Sequence, residues 1–577
     1  MNSKLTRREF LRLMGVGSAA AVLAACAPQA APTTAPAPAP TTASVPTSAS
    51  VPTSAPVPTA LATAAAKVPE PLTLPIVKEP LTLSYWTQLD TNPSTVVKSY
   101  NEIACYKELE KITGIHIDFQ HVSVQDASTQ FNLMLASGKY PDMIETSWAT
   151  VAGGPAKALK DGVIIRLNDL IDKYAPNLKK VLTDHPEWRR QIVTDEGDIY
   201  CFPFLRGDPY LLTFSGPTIR KDWLDKLGLK MPTTLDEWHD MLVAFKTKDP
   251  NGNGKADEIP YNPWYSEGTR SARSAWYRGF MVGAYGILME WYQDKGVVKF
   301  GALQPEFKDF LKILVQWYKE GLIDPDYVST DQKGIDAKIT GNLVGATSMN
   351  TGGGIGKYMP LMATKDPNFK LAPAPYPTLK KGDKQLFGQR DPEYPGQGSV
   401  AISSACKKVT EAVKWLDYGY SDAGHMLFNF GIEGTSYKMV NGYPTYTDAV
   451  MKDPKLPPVS AMSLYIRAHY NGPFVQDKRY IEQYSVLPEQ KEAISIWSQP
   501  SNEMRMPPVT PTQDESKKFA TIMQDVNTRY EEIFHKVVTG ALPLDAWDQF
   551  VKDAKGMGFD DAVKIQQAAL ERYNKRA

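Results

Sequence analysis

From about residue 76 onward, apolar and polar positions repeat with two different periods. Leu81-Thr82-Leu83-Ser84-Tyr85-Trp86 and Ile115-His116-Ile117-Asp118-Phe119 read as strands, the second alternating strictly, and Asp142-Met143-Ile144-Glu145 predicts a third. Between them, helical periodicity covers about 95–113 and 126–136, with another helix after Pro155. Further helices are predicted over 218–228, 235–246, 305–320, 408–419 and 515–538. Strand–helix–strand order with short connections implies an α/β fold, a largely parallel sheet covered by helices. Such sheets bind ligands at the carboxyl ends of their strands, here Tyr85-Trp86-Thr87-Gln88 and Thr146-Ser147-Trp148.

No such pattern exists in the first 75 residues. The head carries Lys4, Arg7, Arg8 and Arg12 against Glu9, and Leu13 to Ala25 is uncharged and mostly small or apolar. A basic head, a short apolar stretch and a small-residue end make a secretory signal. The apolar stretch is too short to span a ~30 Å hydrocarbon core at about 1.5 Å per residue. Thr6-Arg7-Arg8-Glu9-Phe10-Leu11-Arg12 resembles a twin-arginine export motif. Leu23-Ala24-Ala25-Cys26 resembles a lipobox, in which Cys26 is acylated and becomes the new N-terminus. From Ala27 to Val68 every residue except Gln29, Leu61 and Lys67 is Ala, Pro, Thr, Ser or Val. Proline blocks helix hydrogen bonding and stiffens such a chain toward polyproline II, so this stretch is a spacer. The expected division is therefore 1–25 as signal, 26–75 as lipidated cysteine plus linker, and a folded body beyond. The implied location is the outer face of the cell membrane, held there by lipid alone.

Charge changes the picture once the leader is set aside. The 577 residues contain 64 Lys+Arg and 64 Asp+Glu, a net charge of zero. Taking away the three net positive charges of residues 1–25 leaves −3, so bulk attraction to nucleic acid is excluded. Apart from Cys26, the cysteines are Cys105, Cys201 and Cys406, an odd and widely spaced set without CxxC or Cys/His spacing. They are expected to be small buried hydrophobes rather than disulfide or zinc ligands.

Several runs carry a resemblance: Ser137-Gly138-Lys139-Tyr140-Pro141-Asp142-Met143-Ile144, Ile199-Tyr200-Cys201-Phe202-Pro203-Phe204, and Pro232-Thr233-Thr234-Leu235-Asp236-Glu237-Trp238. Trp317-Tyr318-Lys319-Glu320-Gly321-Leu322-Ile323-Asp324-Pro325 and Gly431-Ile432-Glu433-Gly434-Thr435-Ser436-Tyr437 follow in the same order. Over about 76–577 the chain resembles the family 1 extracellular solute-binding proteins, the capture subunits of ABC importers for sugars. The resemblance implies a two-lobe periplasmic-binding-protein clamshell, type II-like, with three hinge crossings. These are expected near 200–206, 369–377 and 420–430, giving one lobe from 76–206 and about 369–425 and another from 207–368 and about 426–577. It also implies a monomer that is not an enzyme and whose partners are an oligosaccharide and the permease subunits.

Asp249-Pro250-Asn251-Gly252-Asn253-Gly254-Lys255-Ala256-Asp257 follows the EF-hand calcium loop through its first nine positions. Asp249, Asn251 and Asn253 offer side-chain oxygens, Gly254 allows the turn, Lys255 offers its carbonyl, and Asp257 stands at position nine. Position twelve is Pro260 where a glutamate is expected. In similar loops of this family a glutamate at position ten serves, which here is Glu258. A structural calcium ion is the implied cofactor.

Sugar rings present apolar C–H faces fringed by hydroxyls, which calls for aromatic platforms beside amide, carboxylate and guanidinium groups. Trp86, Trp148, Trp264 and Tyr265, at predicted strand ends or loops, are the candidate platforms. Gln88, Asn350, Arg390 and Glu433 are the candidate polar partners. Signs of catalysis are weak. Thr351-Gly352-Gly353-Gly354-Ile355-Gly356-Lys357-Tyr358 places Tyr358 where a phosphate-binding loop needs Ser or Thr, and reads as a glycine-rich helix entry. His116 and His121 lie on opposite strand faces, and there is no GxSxG. A secreted glycoside hydrolase or lyase stands as the alternative, with an adhesion or signalling module as a third class.

Overall fold

The computed structural model describes residues 69–576 apart from 152, 264–279 and 469. The signal, Cys26, the linker to residue 68, and both Trp264 and Tyr265 lie outside the described residues. Eight strands build two four-stranded sheets: β1 (Leu81–Leu89), β2 (Ile115–Ser123), β3 (Met143–Thr146), β4 (Ser215–Arg220), β5 (Ile259–Asn262), β6 (Val344–Asn350), β7 (Leu371–Pro373) and β8 (Ser399–Ile402). On β2, Ile115, Ile117 and Phe119 are buried while His116, Asp118 and Gln120 are exposed, as the alternation predicts.

The first sheet has the order β2-β1-β3-β8. β1 runs parallel to β2 from Leu81 opposite Ile115 to Leu89 opposite Ser123, and parallel to β3. Only β8 is antiparallel, so this sheet is the largely parallel one expected. The second sheet, ordered β7-β4-β6-β5, differs: β4 runs against both neighbours, and only β5 and β6 are parallel.

Most predicted helices are present. Leu235–Thr247 and Gln513–Val538 each begin at a capping box, Thr234 with Glu237 and Thr512 with Glu515, which satisfies first-turn N–H groups. Pro305–Lys319 and Val409–Tyr418 lie where expected. Two differ. The stretch 95–113 is broken: a short turn at Tyr100–Glu102 is followed by extended Ile103, and the helix covers only Ala104–Thr113. Tyr100 is fully buried and its N–H is held by His121 Nε2 at 3.0 Å, so tertiary contacts override the helical pattern there. Ile219 and Arg220 belong to β4, because they pair with Ala372 and Leu371, and the helix starts at Lys221.

Three apolar cores follow from this arrangement. The first gathers Leu83, Tyr85, Ile144, Phe202, Val400 and Trp415; the second gathers Trp223, Trp238, Phe307, Met349, Tyr530 and Trp547. A smaller third contains Phe430, Tyr446 and Ile466. Phe369, Leu371, Tyr376 and Phe387 all lie in the second core, and Tyr394 is back in the first. The second crossing therefore lies between Phe387 and Tyr394, later than the 369–377 expected, because β7 completes the second sheet before the chain leaves it. After Phe428 the chain builds the third core, returns to the first core at Phe474, and enters the second at Ala493.

Cys105, Cys201 and Cys406 are free and buried, with burial raising the Cys105 and Cys201 thiols to about 12. Thr351–Gly356 forms one wide helical turn leading into the helix Lys357–Ala363. A Cβ on Gly354 would lie 2.5 Å from the Met349 side chain, so this glycine is needed for close approach.

Candidate ligand-binding site

The parallel strands β1 and β3 end beside the helix Ala127–Ser137, and an open cavity of about 520 Å³ lies at their carboxyl ends. Trp86 and Gln88 from β1, Glu145 and Thr146 from β3, and Phe131 and Asn132 from the helix line it. Gln397, Gly398 and Asn471 close the other side. Gly398 has φ +66°, and a Cβ there would lie 2.6 Å from Asn471 Cβ, so a side chain would push Asn471 out of place. The Trp86 and Phe131 rings lie 5.8 Å apart at 54°, and each, 7% and 6% exposed, shows a small apolar part of itself to the cavity while packing into the first core.

A buried cation organises the floor. Arg467 is fully buried, and its Nη2 donates to Glu145 Oε1 at 2.9 Å and to Asn471 Oδ1 at 3.1 Å. Its Nε donates to the Asn471 carbonyl at 2.7 Å, and its Nη1 to the Tyr106 hydroxyl at 2.7 Å. The guanidinium also lies 4.3 Å from the Tyr100 ring centre and 5.0 Å from that of Tyr470. Glu145 Oε2 accepts the Tyr85 hydroxyl at 2.5 Å, so both carboxylate oxygens are engaged. Asn471 is left with Nδ2 as its remaining hydrogen-bonding group. Gln88 donates one Nε2 N–H to Asp90 at 2.7 Å and keeps its second N–H and Oε1. Burial raises the Asp90 carboxyl above its ordinary pKa, against the pull of Arg467. Burial, and then Arg467, lower His121 to about 4, which keeps its Nε2 an acceptor for the Tyr100 N–H.

Of the expected site residues, the structure brings Trp86 and Gln88 together at this cavity. Trp148 is fully buried and offers no platform: its Nε1 reaches back to the Ile144 carbonyl, and its ring meets Phe131 edge-on at 5.8 Å. Asn350 is exposed at the end of β6, opposite Ser215. Arg390 reaches Glu393 at 3.4 Å, and Glu433 is exposed in the turn that bridges to Tyr437. None of these three lines the cavity. Phe131, Glu145, Gln397 and Asn471 were not expected. Phe131 reads as core in a helical pattern, and Asn471 comes from a distant loop without periodicity, so only Thr146-Ser147 at the end of β3 signalled this wall.

The Asp249–Glu258 loop turns as an EF-hand loop does. Gly252 and Gly254 have φ of +73° and +71°. Asp249 accepts the Asn253 and Gly254 N–H groups, each at 3.1 Å, and Asn253 Oδ1 accepts the Lys255 N–H at 2.8 Å. The Asn251 and Asn253 amides donate to Asp257. Both Glu258 carboxylate oxygens are buried without a hydrogen-bond partner, and burial, followed by the charges of Asp249 and Asp257, raises its pKa. A cation is the group that such an orphaned carboxylate lacks, so the residues fit calcium. Among the described residues no three His, Cys, Asp or Glu side chains cluster as a metal site, and Asp249, Asp257 and Glu258 are not gathered into one here.

Comparison with known proteins gives a consistent result. The family described as bacterial extracellular solute-binding protein matches residues 93–426, more than half of the chain. The fructooligosaccharide ABC transporter substrate-binding protein FusA of Streptococcus pneumoniae serotype 4 is 29% identical over 527 residues, covering 87% of this chain and 92% of FusA. The crystal structure of the alginate-binding protein AlgQ2 without calcium ion is similar with a TM-score of 0.67 and 28% identity, over 86% of this chain and 99% of that one. An EF-hand mutant of S. pneumoniae FusA in complex with fructo-nystose is similar with a TM-score of 0.65 and 26% identity, over 85% and 99%.

Proposed function

Because the chain belongs to the bacterial extracellular solute-binding protein family, we propose that it captures an oligosaccharide outside the cell and delivers it to the permease of an ABC importer. The observation that carries the reading is the cavity at the ends of β1 and β3: an aromatic wall of Trp86 and Phe131 beside the amides of Gln88, Asn132, Gln397 and Asn471. Flat apolar faces next to neutral hydrogen-bonding groups are what a sugar ring requires. FusA and AlgQ2, named for fructooligosaccharide and alginate, support it. Ligand would draw the lobes of the first and second cores together, with the three crossings as hinge; Asn350, Arg390 and Glu433 would meet it from outside the cavity, and Trp264 and Tyr265 would serve as further platforms. Residues 1–25 would direct export, Cys26 would carry the lipid, and the proline-rich linker would hold a monomeric receptor off the membrane. Asp249, Asn251, Asn253, the Lys255 carbonyl, Asp257 and Glu258 would hold a calcium ion that ties the loop to the second lobe.

The reading is non-enzymatic. A glycosidase needs two carboxyl groups about 5–10 Å apart across the bond. Among the described residues, the cavity is lined by one, and both its oxygens are already bonded. Calorimetry against an oligosaccharide panel, with the sugar recovered and sized afterwards, tests this. Saturable binding with intact sugar is expected; cleaved product would overturn it in favour of a hydrolase or lyase.

A further inference from the structure

The charge balance of the cavity narrows the ligand class. Of the described residues lining it, Glu145 alone is charged, and the other side-chain polar groups are hydroxyls, neutral amides and the Trp86 indole N–H. The cation paired with Glu145, Arg467, has no exposure, and four of its N–H donors go to Glu145, Tyr106 and the two oxygens of Asn471. It cannot turn to a ligand without breaking Glu145 and Asn471 away. Asp90 stands behind Gln88 and accepts one of the two Gln88 Nε2 N–H groups, so Gln88 keeps the Oε1 acceptor and one N–H donor, a pair that matches a hydroxyl, which both donates and accepts. The helix Ala127–Ser137 directs its first turn to the cavity through Ala127 and Ser128, and its partial positive charge would favour an anion. Asp126 stands immediately before that turn, its carboxylate accepting the Ser123 hydroxyl at 2.7 Å, and supplies the compensating negative charge.

From this we infer that the site selects neutral oligosaccharides and rejects uronic acid chains. The inference rests on the sugar-receptor reading above. A uronate in this cavity would lose its hydration beside Glu145, and among the described residues it would gain no unpaired cation, since Arg467 is committed to Glu145 and Asn471 and Arg390 is paired with Glu393 at 3.4 Å, whereas a neutral sugar meets donors and acceptors that match its hydroxyls. Discrimination would thus arise from the missing counter-charge as much as from the contacts present.

The test is titration calorimetry on the intact protein with neutral fructo- and malto-oligosaccharides and with oligogalacturonate and alginate oligosaccharides of matched length. Each is run at about 50 and about 500 mM sodium chloride, the range over which screening of surface charge changes most. The expected result is a neutral sugar binding on the order of 100-fold tighter than any uronate, with an affinity that salt leaves unchanged. A uronate binding as tightly as or more tightly than every neutral sugar, and weakening with salt, overturns the selectivity while leaving the sugar-receptor function intact. Failure of both classes to bind overturns the sugar-receptor reading itself and this inference with it.

Discussion

Replacing Arg467 with methionine removes the cation under the cavity while keeping much of its volume. The change costs a charge-assisted bond to Glu145 at 2.9 Å, three further hydrogen bonds, and the stacking of a guanidinium 4.3 Å from the Tyr100 ring centre. What remains is a Glu145 carboxylate only 5% exposed, supported by the Tyr85 hydroxyl alone. Removing one partner of a buried pair costs about 3–5 kcal/mol, mostly as the penalty for the charge left behind. Glu145→Gln leaves the opposite charge unpaired and should also destabilise. The double variant Arg467→Met/Glu145→Gln buries no charge, so its loss should fall short of the summed single losses by about 2 kcal/mol. Urea unfolding followed by tryptophan fluorescence measures all three against the parent. A loss below about 1 kcal/mol for Arg467→Met, or strict additivity in the double variant, would refute the argument that this pair is held by mutual neutralisation.

The two tryptophans of the first lobe should separate by role. Trp86→Ala should weaken oligosaccharide binding by more than about 1 kcal/mol in calorimetry, while Trp148→Ala, which empties a fully buried position, should lower unfolding stability by about 3–5 kcal/mol. Chelator should lower the thermal midpoint and calcium restore it, and Glu258→Gln should abolish the restoration, since Glu258 has no other partner. Asp417 is fully buried, and burial raises its carboxyl to about 6 despite hydrogen bonds from Leu178 and Asn177. With a folded value above the unfolded one, the folded chain holds the extra proton between pH of about 4 and 6. Its contribution to stability is thus complete below that window and lost as pH rises through it, about 2–3 kcal/mol in all. Asp417→Asn should flatten that part of a stability–pH curve. Arg572, in the C-terminal helix Phe559–Lys575, and Arg576, just past its end, both pair with Asp195 beside the first core at 2.6 Å. Asp195→Asn should therefore loosen the lobes, read as a larger radius of gyration in X-ray scattering without ligand.

Much of the fold was legible because short-range order dominates it. The alternation of Ile115, Ile117 and Phe119 and the glycines of the Asp249–Glu258 loop act over a few residues, where pattern and propensity suffice. The break before Ala104 was not legible, since it follows from Tyr100 sitting under Arg467, 367 positions further along. The second crossing was misplaced for a similar reason: nothing local shows that Leu371–Pro373 pairs with β4 and so stays in the second sheet.

The candidate site divides in the same way. By itself the sequence determined that Trp86 and Gln88 end a strand of a parallel sheet, where ligands of such folds bind, and that the loop at Asp249 follows an EF-hand loop through nine positions. Only the tertiary structure decided that of the two core rings Trp148 and Phe131 the second reaches the cavity, and that Asn471 lines it. It alone showed that the charge of Glu145 is cancelled from beneath. Periodicity reports which face of an element is buried, but two buried faces can meet as a core or stand apart as a cavity. Which of these occurs, and which charge answers which, depends on residues hundreds of positions apart that only the folded chain brings into contact.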